Sequence, residues 1–281
     1  MTSAMTPATT YETILFAVEG GVARLRLNRP TKLNALSITM LSEIRQVLDG
    51  LQDGSARCLL ITGEGRGFCS GADLTDSRAM SGNTSETTSG TTSGTPPDLK
   101  KTLDAYYHPV VTALQRLPMP VITAVNGVCA GAGTGLALTG DLILAEVTTR
   151  FNLGFVNIGL LPDMGSTWSL PRRIGSTRAM EMALLGDEIS GETALHWGLI
   201  NRAVPEGSLQ EAAQEMASRL AQGPTLAYAL ARKALGSSFE NSLAEQLEVE
   251  GAAQRIAGQS EDFAAGVMGF LTKTPPEFKG R

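Results

Sequence analysis

Histidine is scarce in this 281-residue chain, two in all, and cysteine hardly less so at three. Cys58, Cys69 and Cys129 lie in or beside apolar runs and show no paired metal-ligand spacing. That argues against a metal centre or a disulfide framework and points to buried, reduced thiols in a cytosolic protein. Basic residues are in no excess: 23 Lys and Arg face 28 Asp and Glu, a net charge of -5, so a broad basic face for nucleic acid is missing. No apolar run reaches membrane-spanning length, and the start MTSAMTPATTYE has no basic segment leading into an apolar core. The chain therefore reads as soluble, cytoplasmic and without a membrane partner. Its 42% hydrophobic and 18% charged residues are ordinary for a globular protein, long enough for one large domain or a main domain with an appendage.

What the chain does have is backbone chemistry. Residues 121–141 read VITAVNGVCAGAGTGLALTGD, an apolar β-type run that breaks at Asn126-Gly127 and passes into Gly131-Ala132-Gly133-Thr134-Gly135. Small residues let the main chain approach a ligand, and a strand turning into a helix start aims free N–H groups outward. Helped by the helix dipole, such groups hold an oxygen that gains negative charge during a reaction. A second stretch of this kind, GFCSGADL at 67–74, follows the strand-like run 58–62. Taken singly, each is equally well a tight turn that needs small residues. Together they offer one donor each to a single oxyanion.

Along the chain, runs 13–19 and 22–27 flank Gly20-Gly21, a hairpin signal. Ser37 opens a helical pattern of Met40, Leu41, Ile44, Val47, Leu48 and Leu51. Strand, helix, strand in that order favours a parallel sheet covered by helices. Residues 77–98 are nearly all Ser, Thr, Gly and Pro, which predicts a mobile insertion, with a substrate lid as the lesser reading. The pattern predicts a helix over 99–117, kinked or interrupted at Pro109. Strands are expected at 142–147 and 150–156, then a turn at 161–166, helices at 177–185 and 190–198, and a short apolar run at 199–204. From 208 onward nearly everything is helical (209–220, 226–235, 243–256, 262–271), which divides the chain into a core, 1–207, and a helical region, 208–281.

Four segments in order, LNRPTKLNALS (27–37), ITGEGRGFCSGADL (61–74), PVITAVNGVCAGAGTGLALTGDLILA (120–145) and FVNIGLLPDMGSTWSLPRRIG (155–175), resemble the crotonase, or enoyl-CoA hydratase/isomerase, superfamily, as does SEDFAAGVMGFLTKTPPEFKG near the end. The resemblance implies an α/β spiral of ββα repeats with a C-terminal helical trimerisation region, a homotrimer or a homohexamer built as a dimer of trimers, and an acyl-CoA thioester as substrate. No cofactor is implied beyond the CoA of the substrate. Carried over residue by residue, the oxyanion donors are the N–H groups of Ala72 and Ala132, flanked by Gly71 and Gly131. Contacts to CoA and the thioester fall on Lys32, Leu33, Ala35, Ser70, Asp73 and Leu74, with Phe270 and Lys273 reaching the nucleotide from the C-terminal region, often of another subunit.

Hydratases of this family hold water between two glutamates, and the matching positions here are Gly135 and Phe155. Neither transfers a proton. Asp163, in LLPDMGS, stands where the Δ3,Δ2-enoyl-CoA isomerases and the phenylacetate-pathway ring isomerases that this segment resembles carry a single catalytic carboxylate. One base suffices to take a proton from one carbon and return it to another. Apolar Phe155, Leu160, Leu161 and Trp168 are expected to desolvate it and raise its pKa. The plainer alternative is that Asp163 caps the turn at 164–168. His108 and Asp163 also match the histidine and nucleophilic aspartate of 4-chlorobenzoyl-CoA dehalogenase, although Phe155 stands where that enzyme has a tryptophan. His108 is otherwise an ordinary helix residue. A hydratase using a repositioned water and a non-catalytic acyl-CoA binder complete the alternatives.

Overall fold

The computed structural model describes residues 10–51, 54–78 and 98–281; most of the Ser/Thr-rich stretch 77–98, and with it the expected insertion or lid, lies outside them. The hairpin forms as its glycines require: β1 (Ile14–Glu19) and β2 (Val22–Leu27) pair antiparallel, Ile14 opposite Leu27 and Glu19 opposite Val22. Gly20 and Gly21 between them both adopt positive φ. Helix α1 (Ile38–Gly50) starts at Ser37, whose hydroxyl accepts from the Met40 N–H at 3.2 Å, and it buries Met40, Leu41, Ile44, Val47 and Leu48. The chain then returns parallel to β2 as β3 (Cys58–Gly63).

From here one pattern recurs: a strand of a large sheet, a short strand of a smaller one, then a helix. β3 is followed by β4 (Gly67–Cys69), β5 (Val121–Val125) by β6 (Val128–Ala130), and β7 (Leu142–Glu146) by β8 (Arg150–Asn152). With β9 (Ile189–Ser190) and β10 (Arg202–Val204), the orders are β1-β2-β3-β5-β7-β10 and β4-β6-β8-β9. The sharp step from one sheet to the other needs glycine: at Gly127, φ 54°, a Cβ would fall 2.1 Å from the Arg66 carbonyl oxygen. Each turn of the chain thus adds one layer to a spiral of ββα units.

The central strands are buried on both faces. In β3, Leu59 and Ile61 join the core shared with α1 and β4, whereas Cys58 and Leu60 face α7 (Leu209–Ala221) through Leu209, Ala213, Ala217 and Ala221. Unbroken apolar runs are what a parallel sheet covered on both sides requires. From Leu209 onward the elements are all helices, and the first of them, α7, covers the sheet. The later helices α8 (Thr225–Ser237), α9 (Leu243–Ala257) and α10 (Glu261–Thr272) carry few buried side chains.

Three expectations are corrected. The expected 99–117 helix is three pieces, α2 (Leu99–Thr102), a π-helical stretch (Leu103–Tyr107) and α3 (His108–Arg116). Pro109 has no N–H for the usual bond four residues back, and the wider π turn precedes it. The expected strand 150–156 stops at Asn152, because Gly154 turns left-handed and Phe155–Ile158 form a 3-10 turn. Helix α5 starts well before 177, at Ser166, and runs to Leu185 with a break at Gly175 (φ 74°, ψ 164°); Pro171 and Gly175 mask its first half in the sequence. The next helix is α6 (Gly191–Trp197).

Candidate active site

Strands β4 and β6 run parallel as neighbours, Cys69 beside Cys129, so their C-terminal ends open at the same place. Both then enter conformations that favour glycine, Gly71 at φ 104° and Gly131 at φ 54°, ψ -128°. The loops touch: a Cβ on Gly71 would lie 3.1 Å from the Ala130 oxygen and 3.5 Å from the Ala132 nitrogen. Helix α4 (Ala132–Ala137) begins at Ala132 and is tied down by the Thr134 hydroxyl, which donates within reach of the Cys129 and Asn152 carbonyls at 2.8 and 2.7 Å. Among the described residues, neither the Ala72 nor the Ala132 N–H takes part in the hydrogen bonds of turns and loops. Two amide donors at adjoining strand ends suit a carbonyl oxygen that gains charge.

Residues 32–36 are laced to this edge. The Ser70 N–H donates to the Leu33 carbonyl at 2.9 Å, the Leu36 N–H to Gly71 at 2.8 Å, and the Asp73 N–H to Leu36 at 3.0 Å. Exposed Lys32, left-handed Leu33 and buried Ala35 thus lie beside Ser70 and Ala72. Asn34, which the sequence reading passed over, holds the lacing together. It is fully buried and left-handed; its Oδ1 accepts from the Arg29 N–H at 2.8 Å and its Nδ2 donates to the Glu64 and Gly67 carbonyls at 2.9 and 2.8 Å. Asparagine is among the few non-glycine residues that tolerate this conformation, the signal that would have flagged it.

Asp73 has a different place from the one expected. Its carboxylate accepts from Arg29 at 2.8 Å and from the Thr75 N–H and hydroxyl at 3.0 and 2.6 Å. Burial alone would raise its pKa, but the Thr75 and Arg29 hydrogen bonds and the Arg29 charge bring it down to about 2. Through these bonds it braces the loop 73–75 against Arg29. Leu74 beside it is exposed.

Asp163 sits on the turn 163–166, closed by the Ser166 N–H donating to its own carbonyl at 2.9 Å, with Met164 (φ 52°) and Gly165 (φ 74°) both left-handed. It does not cap α5, whose N-cap is Gly165 without a side-chain bond. Helix α3 packs against the turn, Val111 lying 3.6 Å from where a Cβ on Gly165 would be. The carboxylate is half-buried and its Oδ1 is buried with no partner. Burial pushes its pKa up to about 6, against a smaller lowering by His108. The expected wall is corrected in part. Phe155 is buried, its ring 3.9 Å from where a Cβ on Gly131 would be, but Leu161 is 74% exposed and Trp168 stacks on Arg172 at 4.0 Å. Tyr107 supplies what they do not: it is buried, and its phenol is driven up first by burial and then by Asp163. His108, exposed, has its Nδ1 3.0 Å from Asp104 Oδ1. Gly135 is buried against the turn 163–166, where a Cβ would overlap Met164.

The enoyl-CoA hydratase/isomerase family model matches residues 17–281. The chain belongs to the enoyl-CoA hydratase/isomerase family. It is 44% identical to the 1,2-epoxyphenylacetyl-CoA isomerase of Escherichia coli (strain K12) and 41% identical to a Rhodobacter capsulatus protein named "Probable enoyl-CoA hydratase", each alignment covering 96% of this chain and 99% of the relative. An enoyl-CoA hydratase structure from Bacillus anthracis superposes with a TM-score of 0.86 at 29% identity, over 96% of this chain and all of that one. The crotonase-type architecture follows. Relatives thus carry both isomerase and hydratase names. Phe270, 84% exposed, and exposed Lys273 stand at the end of α10, with no hydrogen bond or ion pair to the loops just described. Among the described residues no group of three or more His, Cys, Asp or Glu could hold a metal, and no helix is long and apolar enough to cross a membrane.

Proposed function

We propose that this family member isomerises an acyl-CoA thioester, with Asp163 as the only proton carrier. The Asp163 carboxylate takes a proton from a carbon activated by the thioester, and the electron pair moves onto the carbonyl oxygen. The Ala72 and Ala132 N–H groups stabilise that enolate, a contribution of about 10²–10³ in rate for each donor. Asp163 then returns the proton to another carbon as the oxygen reverts to a carbonyl, so no water, oxidant or leaving group is consumed. The observation that carries this reading is one half-buried carboxyl, poised near pH 6, with no acidic partner at Gly135 or Phe155. The E. coli 1,2-epoxyphenylacetyl-CoA isomerase supports a ring-type substrate, with Δ3,Δ2 double-bond migration as the simpler form of the same chemistry.

We propose further that the enzyme is cytoplasmic and works as a trimer or dimer of trimers, Phe270 and Lys273 reaching the nucleotide of a CoA held by another copy. The test incubates the protein with 3-enoyl-CoA, 2-enoyl-CoA, 1,2-epoxyphenylacetyl-CoA and 4-chlorobenzoyl-CoA and follows products by mass spectrometry. Isomer formation that disappears in Asp163→Ala is the expected result. Water addition surviving that substitution, halide release, or tight binding with no turnover would each overturn it.

A further inference from the structure

The glycine at position 135 faces away from open space. It lies in α4, three residues past the Ala132 amide, and an added Cβ would stand 2.4 Å from the Met164 Cβ, 2.9 Å from the Ser166 hydroxyl and 3.2 Å from the Asp163 carbonyl oxygen. Real Cβ atoms do not approach a neighbouring Cβ at that distance, so the turn 163–166 occupies the volume in which any side chain at 135 would begin. Met164, the residue that fills it, is 1% exposed and holds a left-handed φ of 52°, a conformation unfavourable for a side chain of its kind. Seating its Cβ in the notch at Gly135 offsets that cost. On the other side, Gly165 rests against Val111 of α3. The turn is held between two helices, and Asp163 is the first residue of that turn.

We infer that Gly135 is a positioning residue: the notch left by its missing side chain seats Met164, and Met164 in turn sets the depth at which the Asp163 carboxyl enters the site. The same helix, α4, presents the Ala132 N–H at its first residue. One rigid turn of backbone therefore fixes both the amide and the carboxyl, which keeps the distance between proton carrier and thioester oxygen constant. A displacement of about 1 Å between reacting groups costs roughly 10² in rate, so such a lock matters to catalysis more than to the fold alone. This inference rests on the reading of Asp163 as the proton carrier.

The test is a double-mutant cycle between Gly135→Ala and Met164→Gly, assayed on the isomerisation substrate, with Asp163→Asn as control. Gly135→Ala should lower kcat by about 10²-fold with KM changed only a few-fold, because the turn is pushed outward while the CoA contacts at 32–36 and 70–72 stay in place. Its kcat should also rise at lower pH than in the parent, the displaced carboxyl meeting more water. Met164→Gly alone should lose activity too, since nothing fills the notch. The double variant should recover at least tenfold over Gly135→Ala, the new Cβ taking the volume that Met164 vacates. A wild-type kcat and pH profile in Gly135→Ala, an unchanged kcat in Met164→Gly should the alanine variant not fold, or a double variant no better than the product of the singles would each overturn the inference. Retained activity in Asp163→Asn would instead remove the reading beneath it.

Discussion

At the scale of single residues, two carboxylates, Asp163 and Asp73, are driven in opposite directions. Asp163 is pushed up to about 6, chiefly by burial, above the 3.8 of a free side chain. The contribution of this group to stability is complete below pH 4 and is lost as the pH rises through 6, because the folded state then holds a poorly hydrated charge. Asp163→Asn should therefore be inactive, with a loss of about 10²–10⁴, yet more stable at pH 8 by on the order of 2 kcal/mol. Thermal unfolding of parent and variant at pH 4 and pH 8 checks this: the gap should appear only at the higher pH. In the parent, kcat should rise with pH to a plateau above about 6. Asp73 follows the reverse sign. Its folded pKa of about 2 lies below the free value, so its contribution is present above pH 4 and is lost between pH 4 and 2. Asp73→Asn leaves Arg29 without its charge partner and should destabilise by about 3 kcal/mol at pH 7, measurable by urea unfolding, with the difference shrinking toward pH 2.

At the scale of elements, the site is made by close approaches that only glycine permits. A Cβ on Gly133 would fall 2.3 Å from the Cys69 carbonyl oxygen, so α4 presses directly on the end of β4. Gly133→Ala must part the two loops of the proposed oxyanion site; it should destabilise by more than about 3 kcal/mol and, where folded protein is recovered, lower kcat by about 10²-fold. Gly236→Ala is the internal comparison. Nothing lies within 4 Å of its added Cβ on α8, and a helical glycine replaced without strain should stabilise by about 0.5–1 kcal/mol. The same contrast explains what the sequence reveals. Glycines at strand ends, the Gly20-Gly21 hairpin and the Ser37 cap are local signals, so β1, β2, α1 and the two loops are legible from residues alone. The first half of α5 is not, because Pro171 and Gly175 argue locally against a helix that tertiary packing of Leu170 and Ile174 supports. Likewise the resemblance implies a ligand contact at Asp73, and only the fold brings Arg29, 44 residues away in sequence, onto its oxygen. The 99–117 pattern predicts an ordinary helix there, whereas Tyr107 lies in a π-helical stretch and its phenol feels Asp163.

At the scale of the whole molecule, the helices after α7 present a problem of coverage. Helix α9 buries none of its residues, and Leu235, Phe239, Leu243, Leu247, Phe263 and Leu271 all stand more than half exposed. Exposed apolar surface of this extent marks an interaction site and accords with the proposed trimer or dimer of trimers. Meanwhile the C-terminal tail is fixed to its own core: Arg57, at the entry to β3, donates to the Phe278 carbonyl at 2.9 Å and to Gly223, and the Asp262 carboxylate accepts from the Lys279 and Gly280 N–H groups at 2.6 and 2.8 Å. The tail is thus held in place while the faces of α9 and α10 remain free, the arrangement expected of a surface that meets another copy. Leu243, 77% exposed, tests this without touching the Asp163 turn. Sedimentation of the parent at micromolar concentration should give three or six copies, and Leu243→Glu should shift it to smaller species. If Phe270 and Lys273 serve a CoA held by another copy, dissociation should raise KM by about tenfold or more, the loss of about 1.4 kcal/mol of binding. The rise of kcat near pH 6 should stay where it is, because the Asp163 carboxyl and its surroundings belong to one chain. A parent that sediments as a monomer, or a Leu243→Glu variant that keeps its assembly while losing the pH 6 transition, would contradict this division between a binding end shared among copies and a reacting end built within each.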